Sequence, residues 1–259
     1  MLNRALQQMR EGRPALGASA RLGSLLAAEA LARAGFDLVL VDAQHGAWDE
    51  ERAMVAFRGI HAAGATPMVR VPGNDFVTIG RYLDAGALGI IVPMVNSAAD
   101  ARAAAFAMRY PPRGGRSWGP FGAEFYGPEY AQQVDEQLFL AVQIETAEAV
   151  QRAAEILAVQ GVDGCWIGPN DLARSMGVDT NTTEGAVALE QAIAQVLAAC
   201  RQTGKIPGIA AGGTAEQRLA QGFLFVVAGR DDEYLLQRAQ QVAKELRLTC
   251  SPAGERADY

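Results

Sequence analysis

Two residue types that often signal a particular chemistry are scarce in this chain of 259 residues. Its three cysteines, Cys165, Cys200 and Cys250, are odd in number and lack the spacing of a zinc site or a disulfide framework. We therefore expect them to be core or surface thiols. Lys205 precedes a predicted strand and Lys244 falls in the last predicted helix, so no lysine stands at a strand end. Schiff-base chemistry is therefore disfavoured.

Long apolar runs and clustered basic residues are also missing. No apolar run approaches the roughly 20 residues that span a bilayer, and the first residues lack the apolar core of a signal peptide. We therefore expect a cytoplasmic protein that does not bind membranes. The net charge is −6, and the 23 lysines and arginines are scattered. A nucleic-acid partner is accordingly not expected.

Short apolar runs alternate along the whole chain with helical stretches rich in alanine, leucine, glutamate and arginine. This alternation is typical of a parallel sheet with crossover helices. No linker divides the chain, and eight such units in about 250 residues predict a single (β/α)8 barrel domain, α/β in class, over residues 1–259. The predicted strands are Ala15–Ala18, Leu38–Val41, Pro67–Arg70, Gly89–Pro93, Leu138–Ile144, Gly164–Ile167, Ile206–Ile209 and Phe223–Ala228, with helices such as Leu22–Ala34 and Glu50–Ala62 between them.

One of only two histidines, His45, follows the second predicted strand. The apolar run Leu38–Val41 ends in Asp42, and Gln44 directly precedes the histidine. Polar groups just past the carboxyl end of a barrel strand lie where such folds build their sites. An isolated loop histidine is more often structural, but these neighbours and the recurrence of the pattern downstream favour a functional role.

Carboxylates follow the fifth and sixth predicted strands. Gln143 and Glu145 point the same way because strand side chains alternate, and Asp171 follows a Gly-Pro turn close to the start of a helix. Neighbouring strands lie about 5 Å apart, so Glu145 and Asp171 can face one another across the barrel mouth. Two carboxylates with open positions suit Mg²⁺ or Mn²⁺. The structural alternatives are a helix N-cap for Asp171 and an arginine ion pair for Glu145.

The segment Tyr110–Tyr130 is long for a connection and rich in proline, glycine and aromatic residues. Placed after the fourth strand, it is expected either to cover the barrel mouth, with Arg113 or Arg116 meeting an anionic substrate, or to pack against a neighbouring subunit. The last predicted helix, Asp231–Leu248, has an apolar face that must be buried.

Four motifs together resemble the HpcH/HpaI family of class II pyruvate aldolases, over residues from about 12 to about 243. They are Val41-Asp-Ala-Gln-His-Gly46, Val69-Arg-Val71, Val142-Gln-Ile-Glu145 and Ile167-Gly-Pro-Asn-Asp-Leu172. The family includes 4-hydroxy-2-oxoheptanedioate and 2-dehydro-3-deoxyglucarate aldolases. The resemblance implies a barrel that requires Mg²⁺, Mn²⁺ or Co²⁺. It also implies cleavage of a 4-hydroxy-2-oxo acid into pyruvate, or a close 2-oxo acid such as hydroxypyruvate, and an aldehyde.

The resemblance also assigns roles to residues. It implies that His45 is the base, that Arg70 stabilises an enolate and that Asp84 makes the histidine more basic. Glu145 and Asp171 are the implied metal ligands, and the substrate contacts are Gln143 and the turn Gly168-Pro169-Asn170-Asp171. Homotrimers or homohexamers are implied, with the last helix exchanged between subunits.

Asp84 fits this scheme least well, because it falls near a predicted helix end, on the rim opposite the site. A role for it therefore requires irregular geometry or a neighbouring subunit. Gln44 and Arg230 depart from many relatives, and an extra cation at residue 230 favours an acidic or hydroxylated acceptor, unless it pairs with Asp231 or Asp232. The rival functions are a citramalyl- or malyl-CoA lyase, which needs a basic groove, and a non-catalytic barrel.

Overall fold

The computed structural model describes residues 2–250, with side chains as far as residue 247. The described chain forms eight parallel strands that pair in sequence order and close into a barrel. This confirms the predicted (β/α)8 architecture. The strands are β1 (Ala15–Ala20), β2 (Leu38–Asp42), β3 (Thr66–Arg70), β4 (Gly89–Val92), β5 (Phe139–Ile144), β6 (Gly164–Ile167), β7 (Gly208–Ala210) and β8 (Phe225–Arg230).

Twelve α-helices accompany these strands in the described chain, and two 3-10 helices, Phe121–Tyr126 and Gly212–Thr214, lie in connections. Several helices begin at a side-chain cap, as α3 does where Asp49 accepts a hydrogen bond from the Arg52 amide. The α-helices are α1 (Arg4–Arg10), α2 (Leu25–Arg33), α3 (Glu50–Ala62), α4 (Phe76–Asp84), α5 (Ala98–Met108), α6 (Tyr130–Gln137), α7 (Ala147–Gln151), α8 (Ala153–Leu157), α9 (Pro169–Met176), α10 (Thr183–Thr203), α11 (Ala215–Gln221) and α12 (Asp231–Cys250).

Alternation along the strands fills the barrel interior with a small apolar core. Leu38 and Leu40 of β2 belong to it, together with Phe139 of β5 and Phe225 of β8, whose rings meet edge to face at 5.4 Å between centroids. Alternate residues continue inward, so the next inward position of β2 is Asp42. The apolar filling therefore stops one layer below the carboxyl ends of the strands, where the polar groups begin.

Helix α1 closes the amino-terminal end of the barrel. Its buried residues Leu6 and Met9 pack into the interior core. Asn3, which is 1% exposed, caps the helix by accepting from the Leu6 amide and donates to the carbonyl oxygens of Leu88 and Gln137. Helix α1 is thus attached to the amino-terminal rim of the barrel by hydrogen bonds as well as by apolar contacts.

The prediction that the segment Tyr110–Tyr130 covers the barrel mouth is wrong. The segment follows helix α5 and precedes β5, so it belongs to the amino-terminal rim, opposite the carboxyl ends of the strands. Arg116 is fully buried there and donates to Asp84 at 2.6 Å, and Arg113 pairs with Glu136. Neither arginine is available to a substrate at the mouth. Packing of this segment against a second subunit stays a prediction.

Helix α12 starts directly after β8, and its first turn packs on the barrel, where Tyr234 stacks with Phe36 at 6.3 Å between ring centroids. Leu235 is 65% exposed and Leu236 is 58% exposed. Over the side chains that the structure describes, the apolar face of this helix beyond Tyr234 is therefore largely exposed.

Cys165 and Cys200 are buried free thiols in the core, as expected, and the side chain of Cys250 lies outside the described residues. Among the described residues, no helix has the length and apolar character that a membrane span requires.

Candidate active site

Asp42 lies at the centre of the polar layer at the carboxyl ends of the strands. It ends β2 with its side chain 2% exposed, and the strand register places it beside Arg70 at the end of β3. Arg70 donates from Nε to Oδ1 at 2.9 Å and from a terminal nitrogen to Oδ2 at 2.6 Å. Two parallel charge-assisted hydrogen bonds fix the guanidinium in both position and orientation.

The same carboxylate also holds the loop that carries His45. The His45 amide donates to Asp42 Oδ1 at 3.2 Å, and Arg21, after β1, lies 3.5 Å from Oδ2. Arg21 in turn donates to the His45 carbonyl at 3.1 Å. A Cβ at Gly46 would approach the Asp42 carbonyl oxygen to 2.5 Å, so the tight turn requires glycine. The His45 side chain is exposed toward the mouth.

Arg70 also contacts the face of an aromatic ring. Its guanidinium carbon lies 5.2 Å from the centroid of Trp166, which projects from β6 into the barrel and is 5% exposed. A cation over an indole face is attracted by the ring quadrupole. Arg70 is therefore held by Asp42 on one side and by Trp166 on another, with little freedom to move.

Glu145 follows β5 as a buried carboxylate without a cationic partner. It is 3% exposed and accepts hydrogen bonds from the Met94 amide at 2.8 Å and from the Gln143 side chain. Met94 has a φ of 56°, a conformation that costs a non-glycine residue about 1–3 kcal/mol. Among the described residues, no arginine or lysine lies within 4.0 Å of Glu145, so the arginine ion pair considered for it is wrong.

The turn after β6 packs directly on this carboxylate. A Cβ at Gly168 would lie 2.9 Å from Gln143 Nε2 and 3.2 Å from Glu145 Oε2, so only glycine fits without displacing either. Gly168 is also the N-cap position of α9, with no side-chain cap. Asp171 lies in the first turn of α9 with its side chain 52% exposed, and it is not the N-cap considered for it.

Burial raises the pKa of Glu145, and the negative charge of Asp171 raises it further. The Met94 amide, the charge of Arg70 and the Gln143 side chain oppose this rise. Two carboxylates that repel one another, one of them buried, form a site that a divalent cation would stabilise. The described residues contain no group of three or more acidic, histidine or cysteine side chains placed to hold a metal. Substrate, water or backbone oxygens would therefore complete the coordination of an ion at this pair.

Most of the sequence-predicted site residues line a single cavity of about 550 Å³ at the barrel mouth. These residues come from the ends of β2, β3, β5 and β6: His45, Arg70, Gln143, Gly168, Pro169, Asn170 and Asp171. Glu145 lies against the cavity wall, in contact with Gln143 and in the electrostatic field of Asp171. The structure thus brings together residues from four separate segments of the chain.

Asp84 is not part of this cavity. It ends α4 on the amino-terminal rim, where it pairs with Arg116. Burial raises its pKa, and the hydrogen bond from Arg116 opposes the rise. Within one subunit, Asp84 and His45 lie at opposite ends of the barrel.

Several residues that shape the cavity were given no role of their own from the sequence. Asp42 was visible as a charge ending an apolar run, and the alternation from Gly164 placed Trp166 inside the barrel. Arg21 and Arg218 gave no comparable signal, because each occurs among other scattered arginines.

The closed parallel barrel has a cavity at the carboxyl ends of its strands that is lined by acidic and arginine side chains. These features are those of an α/β barrel enzyme. The family model "HpcH/HpaI aldolase/citrate lyase" matches residues 22–237, and the chain belongs to this family.

The similarity to known proteins extends over nearly the whole chain. It is 42% identical over 253 residues to a hydroxypyruvate/pyruvate aldolase from Rhizorhabdus wittichii, covering 95% of this chain and 99% of that protein. It is 39% identical to a 4-hydroxy-2-oxo-heptane-1,7-dioate aldolase from Escherichia coli over 91% of each chain. A crystal structure of an HpcH/HpaI aldolase/citrate lyase family protein from Burkholderia cenocepacia superimposes with a TM-score of 0.87 at 34% identity, covering 95% of this chain and 99% of that one.

The raised pKa of Glu145 predicts how pH affects stability in metal-free protein. The folded chain binds this proton more tightly than the unfolded chain, so the ionised carboxylate destabilises the fold above its folded pKa. This penalty disappears as pH falls below the unfolded value of about 4.5. Glu145→Gln should therefore raise the melting temperature at pH 7 in the presence of chelator, and the gain should shrink toward pH 4.5.

The control for this measurement is Glu148→Gln, because the Glu148 side chain is 64% exposed. The control should melt like the wild type at both pH values. A lower melting temperature for Glu145→Gln at pH 7 would show that the hydrogen bonds to Glu145 outweigh its burial.

Proposed function

We propose that this protein is a metal-dependent aldolase. It reversibly cleaves 4-hydroxy-2-oxo acids into an aldehyde and pyruvate, or a close 2-oxo acid such as hydroxypyruvate. The observation that carries the proposal is the cavity that joins the fixed Arg70 guanidinium and His45 to the Glu145 and Asp171 carboxylates. Cleavage next to a 2-oxo group leaves an enolate, and this arrangement offers positive charge and a base beside such a centre.

Glu145 and Asp171 would hold the divalent cation, Mg²⁺, Mn²⁺ or Co²⁺. The donor set fits such an ion, because both groups supply hard oxygen ligands and Glu145 is buried without a cation. When bound, a divalent ion supplies Lewis acidity for the charge that develops on the substrate. Gln143 orients the Glu145 carboxylate, and its own buried Oε1 has no hydrogen-bond partner among the residues that the structure describes.

Arg70 and His45 would act on different steps. Arg70 is fixed by Asp42, so its positive charge stands ready beside the enolate oxygen without reorganisation. His45 is exposed to the cavity from a loop that Asp42 also holds, and it would take the proton from the hydroxyl of the cleaved bond. Imidazole suits this task because it titrates near neutral pH.

Assembly would bring Asp84 to an active site. Asp84 and Arg116 lie at the amino-terminal rim, away from His45 of the same chain. A trimer or hexamer can place this rim beside the mouth of a neighbouring barrel. There, Asp84 would increase the basicity of the neighbour's His45. The exposed leucines of α12, among them Leu235 and Leu236, support exchange of this helix onto a neighbour.

Removal of metal should abolish activity, and Mg²⁺, Mn²⁺ or Co²⁺ should restore it. The same ions should raise the melting temperature of the wild type, because a ligand that binds only the folded chain stabilises it. Glu145→Ala and Asp171→Ala should lose this thermal shift, and the exposed control Glu148→Ala should keep it. Full turnover in demetallated wild-type protein would contradict the mechanism.

Replacement of Arg70 and His45 should separate enolate formation from carbon–carbon cleavage. Loss of a preorganised donor costs about 3 kcal/mol in the barrier, so Arg70→Ala should suppress both deuterium exchange into pyruvate and cleavage. His45→Ala should impair cleavage strongly and retain part of the exchange, since exchange needs no acceptor hydroxyl. Rates are normalised to folded protein, because Arg70→Ala also removes a partner of buried Asp42. Arg52→Ala, at an exposed ion pair, is the control.

A folded Arg70→Ala protein with near-normal exchange and cleavage would mean that this arginine has only a structural role. Its loss would then lower the melting temperature and leave turnover per folded molecule unchanged.

The mass in solution tests the proposed assembly. At micromolar concentration we expect a trimer or hexamer by light scattering, and truncation after residue 234 should reduce it by removing the exposed part of α12. Mixing Asp84→Ala with His45→Ala subunits should restore activity if Asp84 serves a neighbour. A monomer at this concentration, or no recovery on mixing, would reject the assignment of Asp84.

A further inference from the structure

The cavity has a second wall, formed by residues other than those assigned above to the 2-oxo acid and the metal. It is built by Glu190 on α10, Arg218 on α11 and Arg230 at the end of β8. None of these residues has a role in the chemistry proposed above. An aldehyde acceptor must lie beside the enolate carbon and extend away from it, so this wall is where its remaining atoms would lie.

Glu190 presents a fixed carboxylate on this wall. Arg218, which is 4% exposed, donates to its two oxygens at 2.6 Å and 2.7 Å, and the Gln221 side chain accepts from the same guanidinium at 3.1 Å. The Glu190 side chain is 40% exposed. The hydrogen bond from Arg218 lowers the pKa of Glu190, so the carboxylate is ionised at neutral pH. An ionised carboxylate only accepts hydrogen bonds.

The cations of this wall are already paired. Arg218 is held by Glu190, and Arg230 donates from Nε to Asp232 at 3.1 Å. Glu233 adds a further carboxylate to the lining. A carboxylate on the acceptor would thus meet the negative charges of Glu190 and Glu233 and would share Arg230 with Asp232, whereas a hydroxyl group could donate to Glu190 or Glu233.

We propose that Glu190 is a specificity-determining residue that accepts hydrogen bonds from the hydroxyl groups of a neutral, hydroxylated aldehyde. Arg218 is the positioning residue that holds Glu190 in place. The inference rests on the proposed aldolase function and names the acceptor class for the same site. The turn after β7 leaves room for such a chain, because Gly212 lines the cavity and a Cβ there would meet nothing within 4 Å.

The test measures aldol addition of pyruvate to three aldehydes of similar size. Glyceraldehyde is neutral and hydroxylated, propionaldehyde has no second polar group, and succinic semialdehyde carries a carboxylate. We expect the wild type to favour glyceraldehyde over each of the others by about tenfold in kcat/KM, since a hydrogen bond to a charged group is worth about that factor. Deuterium exchange into pyruvate is measured on every preparation.

The variant of choice is Glu190→Leu/Arg218→Met, because removing only one partner leaves a charge without its counter-ion. The ratio of glyceraldehyde to propionaldehyde kcat/KM should fall about tenfold, mainly through KM for glyceraldehyde. Arg218→Met alone should lower this ratio less, since Glu190 remains but is no longer fixed. Arg201→Met is the matched control, because exposed Arg201 donates to the Gln221 carbonyl oxygen outside the cavity, and its loss should leave the ratio unchanged.

A wild-type preference for succinic semialdehyde would overturn the inference and assign recognition to Arg230. A double variant that slows all three aldehydes in proportion would overturn it too, because the pair would then be structural. Absence of pyruvate exchange in the metal-loaded wild type would instead defeat the proposed function itself, and the two failures are therefore distinguishable.

Discussion

The site depends on the hydrogen bonds and ion pairs that the Asp42 carboxylate makes. It holds Arg70 through two hydrogen bonds, lies 3.5 Å from Arg21 and accepts from the His45 amide. A buried carboxylate is costly unless it is paired and hydrogen-bonded, and here the pairing also fixes two proposed reactive groups. Arg70 ends β3, and His45 lies in the loop after β2. Their relative position is therefore set by one carboxylate that both segments contact.

Glu145 shows the opposite arrangement. It is buried without a cation, its pKa is raised, and the Met94 amide reaches it only through a left-handed backbone conformation. Stability alone would favour an apolar or amide side chain there. An ionised Glu145 is unfavourable in the metal-free fold, so a bound divalent ion would gain free energy by neutralising it. The local cost in stability and the proposed function would then have the same cause.

Sequence patterns predicted the barrel, the boundaries of most strands within two residues, and the residues at the ends of β2, β3, β5 and β6. They succeeded because alternation and apolar runs report burial directly. The predicted position of the segment Tyr110–Tyr130 was wrong because helix α5 separates it from β4, which places the segment on the amino-terminal rim. The Glu190–Arg218 pair joins α10 to α11, and no local pattern encodes a contact between residues 28 positions apart.

Helix α1 determines on which side the cavity is open. Leu6 and Met9 fill the amino-terminal end of the barrel, so the cavity is a blind recess that opens only at the carboxyl rim. Gln143 lies deep in this recess at 1% exposure, whereas Asp171 and Glu190 lie nearer the opening. Two products made in such a recess share one exit. In the proposed reaction, a product bound deep in the recess would leave only after the product nearer the opening has left.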